Sequence, residues 1–141
     1  MNSMIRKMVF LFALLLAGDV LAGWPAGALV IANRGVKEDH ISVKTLKDLY
    51  TGRTSYWEGG EHVVIAVLAD KTDEALSQAS GMDASQFRTF WQRLVFSGRG
   101  QEPKEAPDIA TLVRVVAATR GAISLAPPDA PLQGVKVLNV E

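Results

Sequence analysis

The sequence of 141 residues contains no cysteine. This absence excludes disulfide bonds, thiolate zinc sites, iron–sulfur clusters, cysteine nucleophiles and a lipid attached to an N-terminal cysteine. An excess of one charge is also lacking, because 15 basic residues balance 15 acidic ones. Nucleic-acid binding needs a basic excess on one face, so we expect no nucleic-acid partner. With two histidines and no dense cluster of His, Asp and Glu, we expect no metal site and no cofactor.

The longest apolar run covers residues 8–17 and follows Arg6 and Lys7. It is much shorter than the roughly 20 residues that a membrane-spanning helix needs. Val20 and Ala22 stand where signal peptidase reads small residues. We therefore predict a signal peptide over residues 1–22 and one soluble domain over residues 23–141, secreted across the inner membrane into the periplasm and not a lipoprotein. A retained N-terminal anchor is the alternative.

The exported part alternates between strand and helix patterns. Four apolar segments predict strands: 28–33, 63–69, 122–126 and 135–140. Four segments with helical periodicity predict helices: one between Ser42 and Gly52, then 71–80, 84–96, and one that begins after Asp108 and ends before Gly121. The first two strands are almost wholly apolar, which is typical of strands covered on both faces. This pattern predicts an α/β fold with a small sheet, mostly parallel or mixed, flanked by helices.

The predicted helix starts carry side chains that can cap them. Ser42, Asp70, Asp83 and Asp108 are the expected N-caps, and Gln86 completes a capping box with Asp83. Within the helix over 84–96, five apolar side chains recur at helical spacing: Phe87, Phe90, Trp91, Leu94 and Val95. We expect them to pack in the core rather than form an aromatic platform for a ligand.

Three segments in order resemble one known family. They are residues 41–57 (ISVKTLKDLYTGRTSYW), 91–103 (WQRLVFSGRGQEP) and 113–126 (VRVVAATRGAISLA). Together they resemble the substrate-binding proteins of phosphate ABC transporters, in the periplasmic type II binding-protein superfamily. Full-length members hold their anion in a cleft between two α/β lobes, with amides at helix N-termini and a few polar side chains. The resemblance implies a single lobe that binds phosphate or another small oxyanion for ABC-type uptake or sensing, and no enzymatic activity.

The resemblance places the ligand at the loop after the strand over 63–69. Family members carry the pattern R-x-D-G-S-G-T there, and this chain keeps the acidic residue as Asp70 and a hydroxyl as Thr72, with Lys71 between them. Both glycines of that pattern are missing, and Asp73 and Glu74 add carboxylates that repel phosphate. An ordinary acid-capped helix is therefore the alternative interpretation of this loop.

Two further segments are candidates for anion binding. Gly98 and Gly100 permit a tight turn with converging amides, and the guanidinium of Arg99 suits a phosphate or carboxylate. The alternative is a helix C-terminus capped by Gly98. Asn33 follows the first strand, where open α/β sheets place ligands, although a polar turn explains it equally well. His40 and His62 each adjoin a carboxylate, but sequence neighbours on extended backbone point apart, so we expect no catalytic dyad.

The second functional hypothesis is an interaction module that kept the lobe fold and lost its ligand. The acidic helix start after residue 70 and the missing second lobe favour it. Such a module contacts a membrane sensor, a porin or a transporter subunit. It can also form a homodimer by pairing two lobes across the former cleft face.

Overall fold

The computed structural model describes residues 28–69 and 74–141. The strands are β1 (Leu29–Asn33), β2 (His40–Ile41), β3 (Val64–Leu68), β4 (Lys104–Ala106), β5 (Ala122–Ala126) and β6 (Val135–Val140). The helices are α1 (Val43–Tyr50), α2 (Glu74–Ser80), α3 (Ala84–Phe96) and α4 (Ile109–Ala118). The predicted signal peptide and the predicted cap Asp70 lie outside the described residues.

The six strands form one mixed sheet in the order β2-β6-β1-β5-β3-β4. β1 lies near the centre and is antiparallel to both of its neighbours, β5 and β6. The three other pairs, β2 with β6, β3 with β5 and β3 with β4, are parallel. The α/β prediction is confirmed, and of the two sheet types left open by the sequence the mixed one is observed.

Helices cover both faces of the sheet. One apolar cluster lies beneath α1, α2 and α3 and includes Leu46, Leu76, Phe87 and Trp91. The other cluster lies beneath α4 and includes Leu112 and Val116. Successive residues of β1 and β5 alternate between the two clusters, which is the two-residue period of a strand buried on both sides.

Local capping fixes the starts of three helices. The Ser42 side chain accepts the Thr45 amide of α1 at 3.0 Å. Asp83 and Gln86 form the predicted reciprocal capping box of α3. At α4, a carboxylate oxygen of Asp108 accepts an amide at 2.7 Å. These contacts lie within four residues of sequence, and all three caps agree with the prediction.

Two short edge strands were absent from the predicted elements. β2 has two residues and β4 has three, so neither is long enough to show a hydrophobic period of its own. Both exist because their backbones pair with longer strands. The predicted burial of the α3 apolar residues is confirmed for Phe87 and Trp91, whereas Phe90, Leu94 and Val95 are only half-buried.

No helix within residues 28–69 or 74–141 is long and apolar enough to cross a bilayer.

Candidate ligand-binding site

Strand direction decides which loops meet at each edge of the sheet. β3 is parallel to β4 and β5, and β1 is antiparallel to β5. The carboxyl ends of β3, β4 and β5 therefore share one edge with the amino end of β1. We call this edge the β3 exit edge. The opposite edge holds the amino end of β3 and the carboxyl end of β1.

The connection from β3 to α2 leaves the sheet at the β3 exit edge. The Ala69 amide fixes its first residue by donating to the Ala106 carbonyl oxygen at 2.9 Å. The predicted ligand residues Asp70, Lys71 and Thr72 belong to this connection, and they lie outside the described residues. Ala69, the last described residue before it, lies beyond the carboxyl end of β3, on the side of the sheet where open α/β folds bind ligands.

Asn33 lies at the other edge of the sheet. Because β1 is antiparallel to β5, its carboxyl end is level with the start of β3, about 16 Å from the β3 exit edge. This corrects the expectation that Asn33 stands at the ligand-bearing edge of a parallel sheet. The apolar run over 28–33 correctly predicts a buried strand, but such a run contains no information about strand direction.

The Asn33 side chain has structural partners. Its Nδ2 donates to the carbonyl oxygens of Val116 and Ala117, both at 3.0 Å. Its Oδ1 accepts the Gly35 amide at 2.9 Å. Both amide hydrogens are therefore engaged, and the side chain joins the end of β1 to the last turn of α4. This geometry leaves no donor of the Asn33 side chain for an anion.

The Gly98–Arg99–Gly100 segment forms the end of α3. The amides of Gly98 and Arg99 donate to Val95 and Leu94 carbonyl oxygens, at 3.1 and 2.9 Å. Gly98 has φ +75°, the left-handed conformation that ends many helices. Two amides of the predicted anion-binding turn are thus already bonded within the helix end. The alternative interpretation, a helix C-terminus, describes this geometry.

Gly100 is required by packing rather than by a ligand. A Cβ atom at this position would lie 2.9 Å from Cζ3 of Trp91, so the indole occupies the space that a side chain needs. The Arg99 side chain is exposed. Gln101, two residues later, lies beside His62 and Val63 at the start of β3. The turn is therefore near the amino end of β3 and not at the β3 exit edge.

Carboxylates occupy two of the helix starts where an anion would otherwise bind. Asp83 caps α3 and Asp108 caps α4. The pKa of Asp108 is lowered, first because it accepts the Thr111 amide and then by further hydrogen bonding to the same residue. A negative charge at these positions is stabilised by the helix dipole and repels a bound oxyanion. At α1, the amide of Val43 donates to the Glu141 carbonyl oxygen at 3.2 Å.

Solved structures of phosphate-binding proteins share this fold over four-fifths of the chain. One, described as a phosphate ABC transporter substrate-binding protein from Clostridium perfringens with bound phosphate, has a TM-score of 0.63 at 15% identity and covers 81% of this chain and 44% of that chain. PstS from Borrelia burgdorferi has a TM-score of 0.57 at 10% identity, with coverages of 82% and 47%. An ABC-type phosphate transport receptor from Vibrio cholerae has a TM-score of 0.55 at 12% identity, with coverages of 81% and 46%.

This chain has the fold of one lobe of a phosphate-binding protein. It spans a little under half the length of the three similar structures, and we call it the PstS-like lobe. The fold expected from the three sequence segments is thereby confirmed. No family model and no curated protein sequence matches the chain.

The two histidines of the PstS-like lobe have separate surroundings. His40 Nδ1 lies 2.9 Å from a carboxylate oxygen of Glu141, and both side chains are largely exposed. The His62 ring packs against Tyr56 with 4.8 Å between ring centroids. Within the described parts of the chain, no group of three His, Asp or Glu side chains has the arrangement of a metal site.

Sequence reasoning missed one surface feature. A groove of about 570 Å³ lies between helix α3 and the two strands β3 and β4. Phe96 is at its rim with 96% of the residue exposed. The sequence signal was present, because Phe96 lies on the side of the helix opposite to the apolar stripe of residues 87, 91 and 94. The five side chains of this helix that the sequence predicts in the core do not include Phe96, and no role was predicted for it.

Proposed function

We propose that the PstS-like lobe is an exported, non-catalytic binding domain for phosphate or a related small oxyanion, in ABC-type uptake or sensing. The observation that supports this proposal is the fold, in which β3 ends beside the carboxyl ends of β4 and β5, at the β3 exit edge. A similar structure was solved with bound phosphate, which supports this choice of ligand. The lobe would act by holding the anion for a membrane transporter or sensor.

The residues that we propose as ligand contacts are Asp70, Lys71 and Thr72. The Lys71 ammonium and the Thr72 hydroxyl supply donors to an oxyanion. The Asp70 carboxylate is an acceptor, so it suits an anion that keeps a proton near neutral pH, as phosphate does and sulfate does not. The donors of one lobe reach an anion from one side only, so we expect this lobe by itself to bind the anion more weakly than a closed two-lobed cleft does.

Calorimetry with phosphate and sulfate on the purified protein tests this proposal. A charge-assisted hydrogen bond contributes about 1.5–3 kcal/mol, so Lys71→Ala should raise the Kd for phosphate about tenfold or more. Lys47→Ala is the matched control, since Lys47 is an exposed lysine on α1. Absence of both heat and a thermal shift at millimolar phosphate would overturn the oxyanion proposal.

Export is tested separately. We propose that residues 1–22 are removed, so the intact mass of the protein recovered from the periplasmic fraction should correspond to a chain that begins at Gly23. Recovery of the full-length chain in the membrane fraction would instead support the retained anchor.

The second candidate is a ligand-free interaction module, and the acidic helix starts favour it. Asp83 and Asp108 fill two described helix N-termini, and the sequence adds Asp73 and Glu74 at a third. Such a module would contact a membrane sensor, a porin or a transporter subunit. Crosslinking in the intact envelope tests it: a specific membrane partner, captured with wild type and with Lys71→Ala alike, supports this candidate. Phosphate-dependent heat without any captured partner contradicts it.

A further inference from the structure

The groove between α3 and β4 has an apolar interior and an exposed aromatic ring at its end. Its lining includes Leu68, Leu76, Phe87, Trp91, Val95 and Pro103. Trp91 is fixed in this position because its Nε1 donates to the Tyr50 carbonyl oxygen at 3.1 Å. The Phe96 ring projects into solvent, with 96% of the residue exposed. One surface therefore combines an open apolar groove with an exposed aromatic side chain at its end.

The same surface carries both signs of charge. Arg88 donates to one oxygen of Glu105 through Nε at 3.2 Å and through Nη2 at 3.1 Å. Glu102 also lines the groove. A contact between two identical copies related by a two-fold axis needs a surface that complements itself, in charge as well as in shape. A groove with an adjacent exposed ring, and with arginine and glutamate along its length, meets this requirement.

Helix geometry shows how two copies can fit. Arg88, Gln92 and Phe96 follow one another at intervals of four and therefore lie along one side of α3. Two α3 helices packed antiparallel, with the two-fold axis at Gln92, bring Arg88 of one copy level with Phe96 of the other. The Arg88 guanidinium, which is bound to Glu105 in its own copy, can then contact the face of the Phe96 ring of the other copy. This is a favourable cation–π arrangement.

We propose that the occupant of this groove is a second copy of the chain, with Phe96 of each copy at the end of the other's groove. The contact uses the groove side of α3, with its two-fold axis at Gln92, and it reaches Leu68 at the carboxyl end of β3. The inference does not depend on phosphate binding, and calorimetry with phosphate can succeed or fail independently of it.

Sedimentation velocity from micromolar to near-millimolar protein tests the proposal. We expect a reversible monomer–dimer equilibrium, with Phe96→Ser raising the dissociation constant about a hundredfold or more, because each dimer loses two buried rings. The folded monomer should keep its thermal midpoint, since the ring is already exposed in it. Val43→Ser is the matched control, because Val43 is an exposed apolar residue on α1, and it should leave the equilibrium unchanged.

The absence of cysteine allows a second, geometric test. Gln92→Cys places a single thiol beside the proposed axis and should give a disulfide-linked dimer on oxidation, whereas Lys47→Cys on α1 should not. A protein that stays monomeric at near-millimolar concentration would overturn the proposal, and so would a dimer that Phe96→Ser leaves intact. A dimer weakened by Phe96→Ser that Gln92→Cys fails to crosslink would overturn the antiparallel arrangement.

Discussion

Gly121 offers a quantitative test of how the sheet is held together. It stands immediately before β5 with φ +75°. Its carbonyl oxygen accepts the Val64 amide at 3.1 Å and the Trp57 indole Nε1–H at 3.0 Å, so it joins β3 and a buried aromatic ring to β5. A Cβ at this position would overlap the carbonyl oxygen of His62. Alanine therefore cannot be accommodated without moving the start of β3.

The cost of Gly121→Ala has two parts. The left-handed backbone conformation costs an alanine about 1–2 kcal/mol. Relief of the overlap displaces backbone rather than a flexible side chain, and it strains or breaks two hydrogen bonds that contribute about 1 kcal/mol each. We therefore expect a total loss of about 3–4 kcal/mol, from a stability that is ordinarily about 5–15 kcal/mol for a domain.

Gly81→Ala isolates the conformational part of this cost. Gly81 has φ +74°, nearly the same as Gly121, but no atom of residues 28–69 or 74–141 lies within 4 Å of the position its Cβ would take. Urea unfolding of both variants, followed by tryptophan fluorescence, gives the two free energies of unfolding. If Gly121→Ala proves no more than about 1 kcal/mol less stable than Gly81→Ala, the close approach to His62 does not constrain the fold as we infer.

Three further changes probe other contacts. Asn33→Asp puts carboxylate oxygens against two carbonyl oxygens at the end of α4, so urea unfolding should show a loss of about 3 kcal/mol and a larger one than Asn33→Ala gives. Gly100→Ala should displace the Trp91 indole, which near-ultraviolet circular dichroism would detect; an unchanged spectrum contradicts that packing. The folded-state pKa of Asp108 lies below its unfolded value, so its contribution to stability is present above about pH 4 and is lost as pH falls through the folded value. Asp108→Asn should therefore make the thermal midpoint less sensitive to acid, and an unchanged acid profile would contradict the role of the Thr111 amide.

Local features of this fold were predictable because their causes are close together in sequence. Both bounds of α3 agree with the prediction, since Asp83 and Gln86 mark its start and the left-handed Gly98 follows its end. The two later strands agree as well, because each is a short apolar run bounded by turn residues. These signals act over a few residues and need no knowledge of the rest of the chain.

Features that depend on tertiary pairing were not predictable in the same way. The direction of β1 is set by its pairing with β5 and β6, and the apolar sequence of β1 is equally compatible with parallel and antiparallel neighbours. Asn33 was consequently expected at the wrong edge. The groove beside Phe96 depends on where β4 lies relative to α3, and a three-residue strand leaves no sequence pattern to reveal it. A correct prediction of the fold class was therefore not enough to predict which candidate site residues lie near one another.

The central place of β1 has a consequence for the order of folding. β1 is the first strand of the described chain, yet both of its neighbours come from the last fifth of the sequence, starting at Ala122 and Val135. A chain made at about 5–20 residues per second needs roughly 5–20 s to extend from β1 to β5. Throughout that time β1 has no strand to pair with. Pairing of β1 with β5 also closes a long stretch of chain between them, which is slow. Assembly of this sheet therefore waits for nearly the whole chain, and loss of β6 would leave β1 with an open edge.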